Sequence, residues 1–74
     1  MEINLKVDAT GLACPMPIVK AKKGMESLSA GQIMLIETTD KGSASDFPSW
    51  VNRMNYQLIK TEEAEGLYRF FVQK

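Results

Sequence analysis

The stretch Gly11-Leu12-Ala13-Cys14-Pro15-Met16-Pro17 joins a predicted strand to a predicted helix and holds the only cysteine of the chain. Proline is tolerated in the first turn of a helix, because the N–H that it lacks has no intrahelical partner there. We therefore predict that Pro15 is the first helical residue and that Cys14 is the N-cap. Gly11 supplies the backbone freedom that a sharp turn between strand and helix needs.

The prolines also decide which backbone donors remain at this helix start. Among the first four predicted helical residues only Met16 and Ile18 keep an N–H, and these groups have no intrahelical acceptor. Together with the positive end of the helix dipole, they are expected to favour the thiolate form of Cys14. The alternative is a small buried cysteine without chemistry, which is the commoner role of a lone cysteine. The flanking prolines and the helix start favour the reactive role.

The composition predicts a single domain over residues 1–74. The chain has 45% hydrophobic and 24% charged residues, which is typical of a globular protein. No apolar run approaches the roughly 20 residues of a membrane span, and the first residues lack the basic and apolar regions of a signal peptide. One cysteine cannot form an internal disulfide, which fits a reducing compartment. We therefore expect a cytoplasmic protein without membrane insertion.

Charge and histidine content exclude several classes of function. Nine basic and nine acidic residues leave no net charge, so nucleic acid is not a predicted partner. The chain has no histidine, which removes Cys-His and Ser-His-Asp nucleophiles and, with one cysteine, a zinc site. We expect no cofactor and no metal. The oligomeric state stays open, because exposed strand edges permit self-association.

The first half of the chain has the pattern of a strand, a helix and a second strand. Residues 2–8 alternate as a half-buried strand, residues 15–28 carry an apolar helical stripe, and residues 32–39 are apolar on both faces, as in a central strand. Short links between these elements call for a parallel crossover, which brings the loops after both strands to one edge of the sheet. We therefore expect Asp40 to lie near Cys14.

The second predicted helix follows a turn at residues 40–43 and ends near residue 55. Its start is open between two N-caps. Ser43 resembles the first residue of a capping box, whereas Ser45 as the N-cap would place Pro48 in the first turn, where proline is tolerated.

Two further strands, residues 56–62 and 67–73, are joined by a short turn through Glu65-Gly66, which predicts an antiparallel hairpin. The order of elements is then βαβαββ. We predict an α+β fold, in the form of an α/β two-layer sandwich with two helices on one face of a mixed four-stranded sheet.

Several residues along the chain form a pattern that is shared with a known family. They are Asp8, Gly11, the motif Cys14-Pro15-x-Pro17, Gly31, Thr39-Asp40 and Asp46-x-Pro48-x-Trp50. With this pattern the sequence resembles the TusA/SirA-like sulfur-carrier family over essentially its whole length. The resemblance implies this same fold and a persulfide on the motif cysteine, taken from a desulfurase or rhodanese-type donor and relayed to an acceptor protein. It implies at most a sulfurtransferase activity.

The candidate site therefore centres on Cys14 as the persulfide carrier. Asp40 is interpreted either as a turn residue or as a group that tunes the charge of the persulfide. Leu12 and Met16 are expected to be exposed and to contribute to a docking surface for donor and acceptor proteins. The supporting residues lie at the turn, at the helix start and after the second strand: Gly11, Pro15, Met16, Pro17, Ile18 and Asp40.

One departure from the family pattern bears on the pathway. In the branch that relays sulfur to tRNA thiolation, the residue between the prolines is often glutamate, whereas here it is Met16. This speaks against that branch and leaves thiosulfate uptake, sulfur oxidation and selenium metabolism open, including docking to a membrane transporter.

Two other classes of function stay open. One is a small non-catalytic regulatory or RNA-contacting binding module, because small sandwiches host unrelated functions. The other is a redox thiol protein, which would need a resolving cysteine from another chain.

Overall fold

The computed structural model describes residues 2–74; Met1, which is counted within the predicted domain and the predicted N-terminal stretch, lies outside the described residues. The elements are β1 (Leu5–Ala9), α1 (Met16–Glu26), β2 (Ile33–Thr38), α2 (Lys41–Arg53), β3 (Gln57–Ala64) and β4 (Leu67–Gln73). The sheet order is β1-β2-β4-β3, with β1 parallel to β2 and the other neighbours antiparallel. Both helices cover the same face of the sheet and share one core with it, so the predicted α+β fold is confirmed.

The core lies between the two helices and one face of the sheet. The central strand β2 alternates between fully buried residues, such as Met34 and Ile36, and half-buried residues on the opposite face. From α2, Phe47 stacks on Phe70 of β4 with ring centroids 4.4 Å apart. This apolar layer fixes the position of α2 on the sheet. It therefore also fixes the start of α2 relative to the carboxyl end of β2.

β1 begins at Leu5, three residues later than the predicted strand of residues 2–8. The side-chain oxygen of Asn4 accepts the N–H of Ile33 at 2.9 Å, so a side chain replaces the backbone acceptor at this end of the ladder. At its other end β1 continues to Ala9, which is fully buried.

α1 ends at Glu26, two residues earlier than predicted, because its last turn tightens. Ser27 donates to the carbonyl of Gly24 from its N–H at 3.2 Å and from its hydroxyl at 2.7 Å, and the N–H of Leu28 donates to the carbonyl of Met25. Bonds of this three-residue spacing are common where a helix ends. Within residues 2–74, neither helix combines the length and the apolar character that crossing a bilayer requires.

α2 begins at Lys41, so both predicted starts are wrong. The N-cap is Asp40, which has an extended backbone (φ −87°, ψ 115°) and accepts the N–H of Ser43 at 2.8 Å. Neither Ser43 nor Ser45 is the cap. Because the helix starts this early, Pro48 lies in its interior, where proline removes one hydrogen bond of the helical ladder.

The hairpin is antiparallel as predicted, and β4 has the predicted bounds, Leu67–Gln73. Its turn residues Glu65 and Gly66 have φ values of 53° and 80°, as a two-residue hairpin turn requires. β3 extends two residues further toward the turn than predicted. It also contains a β-bulge between Leu58 and Lys60, which nothing in the sequence pattern indicated.

Candidate functional site

The loops that follow β1 and β2 meet at the carboxyl edge of this parallel pair. The N–H of Gly11 donates to the hydroxyl of Thr39 at 2.9 Å, and the N–H of Cys14 donates to the carboxylate of Asp40 at 3.1 Å. The predicted proximity of Asp40 to Cys14 is therefore confirmed. Thr39 was not predicted to belong to the site, and its position beside Asp40 was the signal that could have found it.

The loop before Cys14 is held by its own hydrogen bonds. Gly11 has a φ of 78°, and an added Cβ would meet nothing within 4 Å, so this position needs glycine for its backbone conformation. The carboxylate of Asp8 accepts the hydroxyl of Thr10 at 2.6 Å and its N–H at 2.9 Å, and these bonds lower the pKa of Asp8. Lys20 donates to the carbonyl of Asp8 at 3.3 Å.

Cys14 is exposed and lies one residue before the helix cap, so its prediction as the N-cap is wrong. The N-cap is Pro15, with φ −97° and ψ 12°, and α1 begins at Met16. The N–H of Met16 donates to the carbonyl of Ala13 at 2.9 Å and closes a tight turn with Cys14 and Pro15 at its centre. The Cys14–Pro15 peptide is cis. This turn delays the helix by one residue and places Cys14 at its corner.

The backbone donors that were expected to face an anion are already used. The N–H of Met16 is bonded to Ala13, and the N–H groups of Ile18 and Val19 both donate to the carbonyl of Pro15 at 3.1 Å. The expectation of two free donors is therefore wrong, because the tight turn and the first helical bonds satisfy them.

The remaining predicted site residues divide between the core and the surface. Pro17 is fully buried, and Ile18 packs against the core, so both hold the start of α1 on the sheet. Leu12 is half-buried and also packs against the core, contrary to its expected exposure. Met16 is 45% exposed, beside Cys14 in the chain.

Asp40 connects the turn of Cys14 with the start of α2. One carboxylate oxygen, Oδ2, accepts the hydroxyl and the N–H of Ser43, each at 2.8 Å, and also the N–H of Cys14. The pKa of Asp40 is lowered by these bonds, mainly by those from Ser43. Ser43 is fully buried and was not predicted as part of the site, although Asp40 directly before an apolar helical pattern is itself a candidate N-cap, and its partner would follow within the first turn.

The arrangement presents a single thiol without a neighbouring histidine. Its backbone is fixed on one side by Asp40 and on the other by the turn into α1, whereas its side chain is exposed. Such a thiol is accessible to a cysteine on another protein, and thiolate exchange with that cysteine needs no additional catalytic group.

Comparison with known proteins agrees with this reading of the fold. The model of a family described as Sulfurtransferase TusA matches residues 5–74. The chain is 43% identical to the putative sulfur carrier protein YrkF of Bacillus subtilis over 74 residues, which are 100% of this chain and 40% of YrkF. It is 39% identical to the putative sulfur carrier protein YrkI of the same organism, over 100% of this chain and 99% of YrkI.

Similarity extends to other organisms and to a solved structure. The sulfur carrier protein TusA of Allochromatium vinosum is 34% identical, over 99% of this chain and 96% of that protein. The crystal structure of a SirA-like protein from Desulfitobacterium hafniense superposes with a TM-score of 0.80 at 25% identity, covering 93% of this chain and 95% of that one. The chain thus spans about two-fifths of YrkF but nearly all of the other three proteins. It belongs to the Sulfurtransferase TusA family.

Proposed function

We propose that this protein is a sulfur carrier, which accepts sulfur as a persulfide on Cys14 from a donor protein and passes it to an acceptor protein. The observation that carries the proposal is the exposed thiol of Cys14, at the corner of a turn whose backbone Asp40 holds in place. The names of YrkF, YrkI and the TusA protein of Allochromatium vinosum support it.

The transfer step needs no cofactor and no oxidant. The thiolate of Cys14 attacks the outer sulfur of a donor persulfide and forms a new S–S bond with it. The old S–S bond breaks, and the donor cysteine leaves as a thiolate with the electron pair of that bond. The outer sulfur keeps its proton, so charge and atoms balance. An acceptor thiolate then removes the outer sulfur from Cys14 by the same exchange.

The proposed donor is a cysteine desulfurase or a rhodanese-type protein, and the proposed location is the cytoplasm, where thiols stay reduced. Met16 and Val19 support docking at the start of α1. Their side chains are 45% and 37% exposed, and they lie three residues apart on the helix that follows Cys14. Exposed apolar side chains that lie together are typical of contact surfaces.

Intact-protein mass tests the carrier role directly. The protein is incubated with a cysteine desulfurase and cysteine, and separately with a rhodanese and thiosulfate. We expect the wild-type chain to gain the mass of one sulfur atom, to lose it on treatment with a thiol reductant, and Cys14→Ser to gain none. Circular dichroism confirms that the variant is folded. Absence of the gain with both donors, or an equal gain by Cys14→Ser, would overturn the proposal.

A second measurement tests docking at Met16. We expect Met16→Ser to slow sulfur transfer from the protein donor by about threefold to tenfold, the effect of removing one contact side chain from an interface. The matched control is Met54→Ser. Met54 is 37% exposed and lies at the far end of the 13-residue helix α2, about 20 Å from the start of that helix. Equal rates for the two variants would contradict a docking role for Met16.

A further inference from the structure

A cleft of about 680 Å³ opens between the first half of α2 and the β3–β4 hairpin. Its helix wall includes Lys41, Ala44 and Pro48, and its strand side includes Thr61, Glu63 and Tyr68. The volume lies in the range of the pockets in which proteins bind small molecules, about 300–1,000 Å³. The cleft is open to solvent rather than enclosed, and this favours a chain segment over an engulfed small molecule.

The strand side of the cleft includes residues of β3, the edge strand of the sheet. β3 is the last strand in the order β1-β2-β4-β3, so within residues 2–74 only β4 pairs with it. The β-bulge between Leu58 and Lys60 disturbs the first half of this edge, which is a common protection against unwanted pairing. Residues 61–64 lie beyond the bulge and pair with β4 in regular register. An edge of this kind can add an extended peptide as a further strand.

The helix wall contains a proline, and the lining has an apolar part. Because Pro48 has no N–H, the carbonyl of Ala44 lacks the helical donor that any other residue at position 48 would provide. Both residues line the cleft. Phe70 forms part of the lining and is held in place by its stacking on Phe47.

Two residues of opposite charge line the cleft. Lys41 lies on the helix wall and Glu63 on the strand side, and neither forms an ion pair with any of residues 2–74. Lys41 directly follows Asp40, whose carboxylate holds the backbone of Cys14. The cleft therefore begins next to the turn that presents the thiol.

We propose that this cleft binds an extended peptide segment of the protein that exchanges sulfur with Cys14, by adding the segment to the free edge of β3 at residues 61–64. This assignment rests on the sulfur-carrier function proposed above. A segment that fits has an apolar side chain against Pro48 and Phe70, a carboxylate toward Lys41 and a cationic group toward Glu63. Binding there holds the partner's cysteine close to Cys14 while its sulfur is transferred.

The test fills the cleft and compares two sulfur donors. Ser45 lines the cleft, and Ser45→Trp places a large side chain in it. Ser49→Trp is the matched control, since Ser49 is exposed on the same helix and is not part of the lining. One donor is the small molecule glutathione persulfide. The other is a protein donor, either the thiosulfate-loaded rhodanese or the cysteine desulfurase, whichever charges the wild-type chain faster. Circular dichroism and Tm confirm that both variants are folded.

We expect Ser45→Trp to lower kcat/KM for the protein donor about tenfold, which corresponds to about 1.4 kcal/mol of lost binding. Its reaction with glutathione persulfide should be unchanged, and Ser49→Trp should resemble the wild type with both donors. Equal rates for both variants with the protein donor would overturn the cleft assignment and leave the carrier function standing. Charging by glutathione persulfide but by neither protein donor would overturn the cleft assignment together with transfer from a donor protein. Failure of every donor would instead overturn the carrier function.

Hydrogen exchange provides a second readout. In a mixed disulfide between Cys14 and the donor's cysteine, we expect the outward-facing amides among residues 61–64 to exchange at least about tenfold more slowly than in the free protein, because a new strand would hold them in hydrogen bonds. Unchanged exchange at residues 61–64 in that complex would exclude strand addition at this edge.

Discussion

Gly24 lies where α1 packs closely against β1 and β2. An added Cβ would be 2.8 Å from the sulfur of Met34 and 3.1 Å from a methyl carbon of Leu5 and of Val7. From helix propensity alone, glycine in a helix interior is unfavourable by about 1 kcal/mol relative to alanine. Here the absence of a side chain allows the helix to approach β1 and β2, so the residue is explained by packing rather than by the helix itself.

Gly24→Ala is expected to lower the free energy of unfolding, although alanine is the better helix former. Overpacking of about 1–3 kcal/mol opposes a helix gain of about 1 kcal/mol. Gly42→Ala in α2 is the matched control: its Cβ would lie 3.5 Å from a carboxylate oxygen of Asp40, which is ordinary contact, so the unfolding free energy should rise. Urea unfolding measures both, and stabilisation by both substitutions would contradict the packing explanation.

At the scale of elements, the start of α2 links stability to the site. The carboxylate of Asp40 caps the helix through Ser43 and also holds the backbone of Cys14. The thiol is therefore positioned from two sides, by the turn into α1 and by the cap of α2. Loss of this carboxylate should loosen the turn as well as weaken the helix.

The stabilising effect of Asp40 is expected to depend on pH. Because hydrogen bonds from Ser43 hold the pKa of Asp40 below its ordinary value of 3.8, the carboxylate stabilises the folded state above that pH, and this contribution is lost as the pH falls through the lower folded-state pKa. Asp40→Asn should therefore lower Tm at neutral pH, and the difference from the wild type should shrink in acid.

Thermal unfolding from about pH 7 down to about pH 3 measures this difference. Asp46→Asn, at an exposed position in the same helix, is the control and should change Tm little at any pH. A difference between Asp40→Asn and the wild type that stays constant over the whole range would show that the charge of Asp40 is not responsible.

At the scale of the whole molecule, Lys74 connects α1, β2 and β4. It lies at the amino-terminal end of β2, whereas Cys14 lies at the carboxyl end of the parallel pair. Its Nζ donates to the carbonyls of Met25 and Leu28, each at 2.8 Å, at the end of α1. Its N–H donates to the carbonyl of Gln32 before β2, and its carbonyl accepts the N–H of Gly31. A cation at a helix C-terminus is also favoured by the helix dipole.

Lys74→Ala is expected to lower the free energy of unfolding by roughly 1–2 kcal/mol, because it removes two charge-assisted hydrogen bonds from the end of α1. Lys23→Ala is the control, because Lys23 is exposed in the last turn of the same helix. It should change the free energy of unfolding by less than about 0.5 kcal/mol. Urea unfolding followed by the fluorescence of Trp50 measures both. Equal effects would mean that the contacts of Lys74 contribute no more than a surface charge.

Local patterns were sufficient for the elements and for their order. Alternation in residues 67–73 predicted β4 with its observed bounds, and Glu65-Gly66 predicted the hairpin. The parallel crossover predicts that Asp40 lies beside Cys14, and the hydrogen bond between them confirms it. These features follow from side-chain periodicity, which is local, and from the right-handed crossover, which the twist of the strands imposes on every parallel pair of this kind.

The ends of the helices, the role of Gly24 and the cleft were decided by the tertiary structure. Two candidate caps were serines, yet the cap of α2 is Asp40, and the donors expected to be free at the start of α1 are taken by Ala13 and Pro15. Which acceptor a backbone N–H finds depends on which loops meet in space. The cleft likewise exists only because α2 and the β3–β4 hairpin leave a gap between them, and no periodicity within either element encodes that separation.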